Sequence, residues 1–275
     1  MTTTSRIGRA AVFVLLCLIG ISTIYPLVFM ALNSMRTTQQ FEVSPYGLPK
    51  HFTTADYHSL LSQVPFFQSI LHSIIVVVPA VILATLCSAL MAFVLTKTPV
   101  KLGNFLFWVM LTVMFMPGIV VLLPLYVRIA HMGLANNFAP AIFLYTAISI
   151  PYGTYLLRSN FRAIPDSVIE AARVDGGSWT RIFIRVVLPI AKPGIVTVGI
   201  LTFLNIWNEL FISLVLLHQP NNEMVTPTLA NLSGKFSSDV PVIMAGLLIG
   251  AVPTLLVYLV SARVFIRGML AGAIR

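Results

Sequence analysis

The 275-residue sequence has few charged side chains. Asp, Glu, Lys and Arg make up 9% of it, against roughly 25% in a typical soluble domain. Apolar residue types make up 58%, which is more than one soluble core of this length can bury. These values exclude an ordinary soluble domain and indicate an integral membrane protein.

Catalytic and metal-binding motifs are also missing. The sequence has no G-x-x-x-x-G-K-[ST] phosphate loop, no G-x-S-x-G and no H-E-x-x-H, and its five histidines are scattered. Its two cysteines, Cys17 and Cys87, lie within apolar runs, which argues against a disulfide framework or a thiolate metal site. We therefore expect no cofactor bound by this chain and no hydrolase or metalloenzyme activity. Uphill transport would need an ion gradient or another subunit as its energy source.

Long uncharged runs are what the sequence has instead. Because a helix needs about 20 mainly apolar residues to cross the bilayer core, these runs predict six transmembrane helices. Their approximate bounds are 10–33, 69–95, 105–127, 138–158, 195–217 and 241–263. Internal prolines such as Pro117 are compatible with helix, because neighbouring helices satisfy the freed backbone groups. The predicted fold is an all-α integral membrane protein with one transmembrane domain over residues 1–275.

Basic residues are unevenly distributed between the segments that flank these spans. Of the 17 Lys and Arg residues, thirteen fall on the side of the two termini and four on the other. The larger group is Arg6, Arg9, Lys97, Lys101, Arg158, Arg162, Arg173, Arg181, Arg185, Lys192, Arg263, Arg267 and Arg275. The positive-inside rule therefore predicts cytoplasmic termini, with the first run retained as a span and not cleaved as a signal peptide. The net charge of +9 indicates topology and contact with anionic lipid, and no nucleic acid.

One long polar segment, residues 159–194, interrupts the apolar pattern. Its start and stop residues predict a helix-turn-helix. The parts are a first helix at Val168–Val174, a left-handed cap at Gly176 or Gly177, a cap at Ser178, and a second helix at Trp179–Leu188 ended by Pro189. On the residues alone, this hairpin either lies in the lipid headgroups without a partner or presents its first helix to another protein.

The same segment carries a recognisable signature. Glu170-Ala171-Ala172 is followed by three residues, then Gly176, then nine residues, then Val186-Val187-Leu188-Pro189. This pattern resembles the EAA signature of permease subunits in binding-protein-dependent ABC importers, with Val186 where isoleucine is usual. The stretches IPDSVIEAARVDGGS, WNELF and RGMLAGAIR are similar to the carbohydrate-uptake branch, which includes the smaller permeases of maltose and maltodextrin importers.

The resemblance implies a role for the polar segment as a cytoplasmic coupling helix-turn-helix between spans 4 and 5. Its implied contacts with the ATPase are Glu170, Ala171, Ala172, Asp175, Gly176, Leu188 and Pro189. The implied partners are a second homologous permease, two cytoplasmic ABC ATPase subunits that bind ATP and magnesium, an extracytoplasmic solute-binding protein and the lipid bilayer. The implied location is the cytoplasmic membrane of a bacterium or archaeon.

Glu209 is the one acid inside a predicted span. In a continuous helix Asn205, Asn208, Glu209 and Ile212 share one face, because they follow i, i+3, i+4 and i+7. An ionisable residue in the membrane usually faces the bundle interior or a wet cavity, so this face is a candidate lining of a solute pathway. The alternative is polar contact between helices.

Three further features have two interpretations each. Tyr145, Tyr152 and Tyr155 in the fourth span could stack on sugar rings, although interface anchoring is the expected role. The polar segment His218–Val240 resembles the family loop that touches the binding protein, but it could also be a mobile connector. The tail after Arg263 resembles tails that reach the ATPase, and a basic membrane anchor is its alternative.

Two other classes of function stay open on the sequence. An ion-driven secondary carrier would use Glu209 as its proton or cation site, although such carriers usually contain inverted repeats and no clear second copy is present. A membrane enzyme would need a nucleophile–base or metal-ligand cluster, and the sequence offers none. The chemical identity of the solute is not predicted.

Overall fold

A computed structural model of the chain describes residues 4–273, and the side chains of residues 8–262. Helices joined by short turns make up this part of the chain, and no strand occurs within it. The helices are α1 (Thr4–Asn33), α2 (Thr38–Val43), α3 (Ala55–Gln63), α4 (Phe66–Lys97), α5 (Gly103–Val113), α6 (Gly118–His131), α7 (Phe138–Arg162), α8 (Asp166–Val174), α9 (Trp179–Ile182), a π-turn (Phe183–Val187), α10 (Leu188–Trp207), α11 (Phe211–Leu216), α12 (Val225–Lys235) and α13 (Val240–Ala273).

The membrane-spanning segments match the predicted fold class. Five stretches are long and apolar enough to cross a bilayer, and a sixth results if the bent pair α5–α6 is one span. The five are Gly8–Asn33, Phe66–Lys97, Phe138–Arg162, Trp179–Trp207 and Val240–Ala262. The prediction of an all-α integral membrane protein is confirmed, and six spans are present with the bent pair counted once.

The third span is broken where a straight helix was predicted. The sequence predicts one helix over 105–127, but α5 ends at Val113 and α6 begins at Gly118, with 87° between them. Pro117 lies at this break. Its ring lacks a backbone N–H and clashes with the carbonyl four residues earlier, so the continuous helix that the sequence predicted does not form here.

The fifth span differs from its prediction at both ends. Pro189 does not end the preceding helix, because the helical stretch Trp179–Trp207 runs through it. The π-turn lies immediately before α10, so Pro189 falls in the first turn of α10. At that position the missing N–H of proline costs little hydrogen bonding. The predicted span 195–217 is then interrupted after Trp207, and α11 begins only at Phe211.

Close contacts group the chain into two units. One unit comprises Met1–Phe67 and Thr228–Val252, and the other comprises Gln68–Pro227 and Pro253–Arg275. The second unit contains the polar segment and the break in the fifth span. That residues 1–275 act as a single transmembrane domain stays a prediction.

Arg36 organises the chain that follows α1 in the first unit. Its side chain is buried, and its guanidinium donates to the carbonyl oxygens of Gln40 and Ser44 at 2.8 Å and of Gly47 at 3.0 Å. It also donates to Asn33 Oδ1 at 2.8 Å. Because a helix end leaves carbonyl groups without intrahelical partners, Arg36 stabilises the end of α2.

An acidic pair lies in the same unit. The Thr38 hydroxyl donates to Asp239 Oδ1 at 2.6 Å, whereas Asp56 Oδ2 is buried and has no hydrogen-bond partner in the described part of the chain. Burial, and secondarily the charge of Asp239, raises the pKa of Asp56 to about 6. Both effects disfavour the ionised carboxylate.

Candidate functional site

The first helix of the polar segment ends in a turn that requires glycine. Helix α8 runs over Asp166–Val174, and Gly176 follows with φ of 76°, a left-handed conformation that glycine adopts without a steric penalty. Gly177 donates its N–H to Ala172 O at 2.9 Å. A Cβ on Gly177 would lie 2.5 Å from that oxygen. The predicted helix and its left-handed cap at Gly176 are confirmed.

The second helix is joined firmly to the first. Ser178 Oγ accepts the N–H of Arg181 at 3.4 Å, which confirms the predicted cap. The Arg173 guanidinium lies 4.7 Å from the ring centroid of Trp179 and donates to Gly177 O at 3.2 Å. A cation over an indole ring is a favourable contact, so Arg173 holds the turn between α8 and α9 closed.

One face of this hairpin is buried against neighbouring spans. Ile169 of α8 and Ile182 of α9 are almost fully buried. They belong to a core cluster with Ala89, Ala92, Phe93, Leu157, Phe161, Ile164, Val187, Ala191 and Val198. Since these residues come from α4, α7, α10 and the hairpin, the hairpin is packed onto the ends of the spans.

The opposite face of α8 is open. Glu170, Ala171, Asp175 and Gly176 are exposed, and Ala172 is half-buried. Within the described chain the Glu170 carboxylate has no hydrogen-bond or ion-pair partner. Val174 is 87% exposed and was not among the predicted site residues, although its spacing of four from Glu170 and three from Ala171 places it on their face.

Leu188 and Pro189 lie apart from this exposed face. Both belong to the first turn of α10. Leu188 is half-buried and packs against the core cluster, whereas Pro189 is exposed. The predicted coupling set therefore contains an outward surface on α8 and one residue, Leu188, that supports it from within.

Glu209 caps the second piece of the broken fifth span. Its Oε1 accepts the N–H groups of Phe211 at 2.8 Å and Ile212 at 3.1 Å, and its Oε2 accepts the Ile212 N–H at 2.9 Å. The Tyr145 hydroxyl donates to Oε2 at 2.9 Å. The Glu209 carboxylate thus accepts hydrogen bonds from the first two N–H groups of α11, which have no intrahelical partner, and these donors together with Tyr145 satisfy the carboxylate within the apolar part of the chain.

The polar face predicted around Glu209 is interrupted. Because α10 ends at Trp207, the spacing of Asn205, Asn208 and Glu209 no longer follows one helix. Asn205 and Asn208 are exposed, and the Asn208 amide donates to Leu204 O at 2.7 Å. Glu209 is turned inward instead.

The expected interface role of Tyr145 is wrong. Its side chain has 0% exposure and is bonded to Glu209. A tyrosine needs a hydrogen-bond partner when its ring is buried, and the acid of the fifth span is that partner. Tyr155 of the same helix is exposed.

The segment His218–Val240 has structure of its own. It contains α12, and its first residues are tied to the α6–α7 turn, where Asn136 Oδ1 accepts the N–H groups of His218 at 3.1 Å and Gln219 at 3.2 Å. Further along, Val225 donates its N–H to Ser73 Oγ at 2.8 Å. These bonds favour a folded segment over a mobile connector.

Comparison with known proteins agrees with this architecture. Residues 84–269 match the family described as binding-protein-dependent transport system inner membrane component. The chain belongs to this family. It is 31% identical over 251 residues to the diacetylchitobiose uptake system permease protein NgcG of Streptomyces coelicolor, covering 90% of this chain and 83% of the relative. It is 27% identical over 269 residues to the sulfoquinovosyl glycerol transport system permease protein SmoH of Agrobacterium fabrum, covering 98% and 94%.

Solved structures show the same fold. The chain resembles a chain in a bacterial ABC transporter involved in the import of the acidic polysaccharide alginate, with a TM-score of 0.77 and 22% identity over 96% of this chain and 98% of that one. A bacterial alginate ABC transporter in complex with alginate pentasaccharide-bound periplasmic protein gives a TM-score of 0.70 at 15% identity.

Membership of this family confirms the resemblance inferred from the EAA signature. The hypotheses of an ion-driven carrier and of a membrane enzyme are therefore set aside. Among residues 8–262, no three His, Cys, Asp or Glu side chains come together as metal ligands, and the absence of a bound cofactor stays a prediction. The tail after Arg263, for which contact with the ATPase or membrane anchoring was predicted, lies outside the residues whose side chains are described.

Proposed function

We propose that this inner-membrane permease is a subunit of an ATP-driven importer for a sugar or oligosaccharide. It forms half of the translocation pathway beside a second, homologous permease. Two ATPase subunits supply the energy from the cytoplasm, and an extracytoplasmic binding protein delivers the solute. The observation that carries this proposal is the outward surface of α8, which presents the EAA residues on a rigid support.

The surface of α8 has the chemistry of a helix that docks in a groove. Ala171 and Ala172 are small enough for close approach, Glu170 offers an unpaired carboxylate to a basic residue, and Val174 offers an exposed apolar side chain. Helix-in-groove recognition uses residues spaced in this way on one face. Rigid packing of the hairpin then allows a movement of the ATPase to reach the spans as a rigid-body switch.

The orientation follows from the basic residues. With thirteen of 17 Lys and Arg residues on the side of the termini, both termini and α8 face the cytoplasm. The ATPase would meet α8 there. The segment His218–Val240 would lie on the opposite side, where the binding protein docks.

The pathway residues are Asn205 and Asn208, which can hydrogen-bond sugar hydroxyl groups. Glu209 shapes the pathway by breaking the fifth span, and it does not contact solute directly. The named relatives carry diacetylchitobiose and sulfoquinovosyl glycerol, so the solute class we propose contains at least one sugar ring.

The coupling role is tested by Gly176→Asp in the complete importer, isolated through a tag on this chain. A side chain at φ of 76° strains the cap of α8 and places a second charge beside Asp175. We expect the chain to reach the membrane in normal amount while the ATPase subunit and its ATP hydrolysis are lost from the purified complex.

Gly133→Asp is the matched control. Gly133 also has a positive φ, of 71°, and a Cβ added there would likewise meet no atom within 4 Å, but it lies in the α6–α7 turn. It should retain the ATPase. Equal retention of ATPase activity by both variants would contradict the coupling role.

The solute class is tested by the thermal shift of the cognate binding protein in the presence of diacetylchitobiose, maltose and alginate oligosaccharides. We expect at least one of these to raise its melting temperature. Stabilisation by glycerol 3-phosphate and by none of the sugars would contradict the proposed solute class.

A further inference from the structure

A buried lysine joins the end of α4 to the start of α8. Lys97 is the last residue of α4, and its side chain is only 4% exposed. Its Nζ donates to Ile164 O and to Asp166 Oδ1, each at 2.6 Å. A buried ammonium group is costly unless it is paired and hydrogen-bonded, and these two oxygens satisfy that requirement.

The two acceptors lie on either side of the point where α8 begins. Ile164 precedes Pro165, and Asp166 is the first residue of the helix, which has no side-chain hydrogen bond at its N-cap. Since the Asp166 side chain is 78% exposed, the ion pair adds little stability by itself. The role of the Lys97 ammonium group is to fix positions: with its three donors, it holds the first turn of α8 against the end of α4.

A second contact from the same end of α4 reaches α9 and the π-turn. The Phe93 ring lies 6.2 Å from the ring centroid of Trp179 in an edge-on arrangement and 5.1 Å from that of Phe183. Phe93 is one turn before Lys97 and is buried. The last turn and a half of α4 therefore holds the hairpin at two separate places. Apolar packing joins Phe93 to the core cluster that includes Ile169, and Lys97 adds the polar contact at the beginning of α8.

We propose that Lys97 is a positioning residue that makes α4 move with the coupling helix as one body. This inference rests on the proposed docking of α8 on an ATPase. When the ATPase displaces α8, the Lys97 bridge transmits the displacement to α4, a helix of 32 residues long enough to cross the membrane. Without the bridge, α8 shifts while α4 lags behind.

The test measures the distance between α4 and α8 in the assembled importer, isolated through a tag on the ATPase subunit. Spin labels are placed on native Cys87, which is exposed on α4, and on Ser167→Cys, which is exposed on α8, with Cys17→Ser as background. Distances are recorded before and after trapping with ATP, magnesium and orthovanadate, so no transported solute is needed.

We expect a narrow distance distribution in the wild-type chain that trapping leaves unchanged. In Lys97→Met, trapping should widen the distribution about twofold, because α8 then has two positions relative to α4. Lys97→Arg should restore the narrow distribution, since a guanidinium can donate to both oxygens. Lys101→Met removes the same charge four residues later from an exposed side chain and should behave as wild type.

Two results would overturn the proposal. The first is a Lys97→Met distribution that matches wild type before and after trapping. The second is a widening that is already complete before nucleotide is added, which would make Lys97 a purely structural contact. Failure of the proposed function is seen separately and earlier, because wild-type chain would then not be recovered with the tagged ATPase.

Discussion

The hairpin of α8 and α9 and the break in the fifth span are both places where one helix ends and another begins, and each region contains a glutamate. In the hairpin, glycine makes the turn, and Glu170 points outward without a partner in the described chain. In the span, no glycine is present, and Glu209 turns inward to accept the N–H groups of Phe211 and Ile212. In the hairpin the glutamate side chain is exposed and available to another protein, whereas in the span the glutamate side chain accepts hydrogen bonds from its own backbone.

The difference follows from where each break lies. A turn at the end of the spans can leave polar groups to water, so only backbone strain has to be relieved, and glycine does that. A break within an apolar span has no water to satisfy its backbone, so a side chain must supply the acceptors. We infer that an acid in a span is first a candidate cap and only then a candidate for solute contact.

The largest expected effect separates the two acids. Glu209→Ala removes the cap of α11 and the carboxylate acceptor of the Tyr145 hydroxyl, which should destabilise the chain by about 3 kcal/mol. Glu170→Ala should change stability by less than about 0.5 kcal/mol but weaken recovery of the ATPase. Unfolding in mixed detergent micelles measures the first, and co-purification the second. Equal loss of stability in both variants would contradict the conclusion that Glu209 stabilises the fold whereas Glu170 does not.

The turn of the hairpin should depend on its glycines. Gly177→Ala places a Cβ 2.5 Å from Ala172 O, and opening the turn to relieve this contact should cost about 2 kcal/mol. Hydrogen exchange in α8 should become faster. Gly234→Ala in α12, where no atom lies within 4 Å, is the control and should be neutral or slightly stabilising. Unchanged exchange in α8 would show that the close approach is unnecessary.

Tyr145→Phe measures how much the hydrogen bond between Tyr145 and Glu209 contributes at the break in the fifth span. It removes one donor from Glu209 but leaves the backbone donors in place, so we expect a loss of about 1 kcal/mol. Tyr155→Phe on the same helix changes an exposed side chain and should have no measurable effect. In a double-mutant cycle with Glu209→Ala the two losses should not add, and full additivity would mean that the bond contributes nothing.

The smallest effect concerns pH and the acidic pair outside the spans. The folded pKa of Asp56 is about 6, above its ordinary value of about 3.9, so the folded state binds more protons between these values. Its ionisation therefore disfavours folding, and stability from this group rises as pH falls through about 6. Since Asp56 is partly exposed, we expect a rise in melting temperature of at most about 2 °C between pH 7 and pH 5.

Asp56→Asn should remove this pH dependence, whereas Asp175→Asn, at an exposed position, should retain it. The expected sign would be wrong if the melting temperature of the wild-type protein fell when the pH is lowered from 7 to 5 and Asp56→Asn abolished that fall.

Local sequence rules predicted the hairpin well and the span breaks poorly. The cap at Gly176 and the cap at Ser178 depend on a few adjacent residues, and both are present as expected. Pro117 and Pro189 are the same residue type in similar apolar surroundings, yet one breaks a helix and the other does not. Whether a neighbouring helix or a preceding π-turn accommodates the ring is a property of packing, which a single sequence does not display.

The sequence by itself determined the membrane location, the helical class, the family signature and the caps of the hairpin, because composition and short local patterns of residues carry each of these. Only the tertiary structure decided that Glu209 caps a broken span, that Tyr145 is its partner, and that Lys97 joins α4 to α8. The Tyr145–Glu209 and Lys97–Asp166 contacts connect residues more than sixty positions apart. Such pairs form only when packed helices bring them within hydrogen-bond distance.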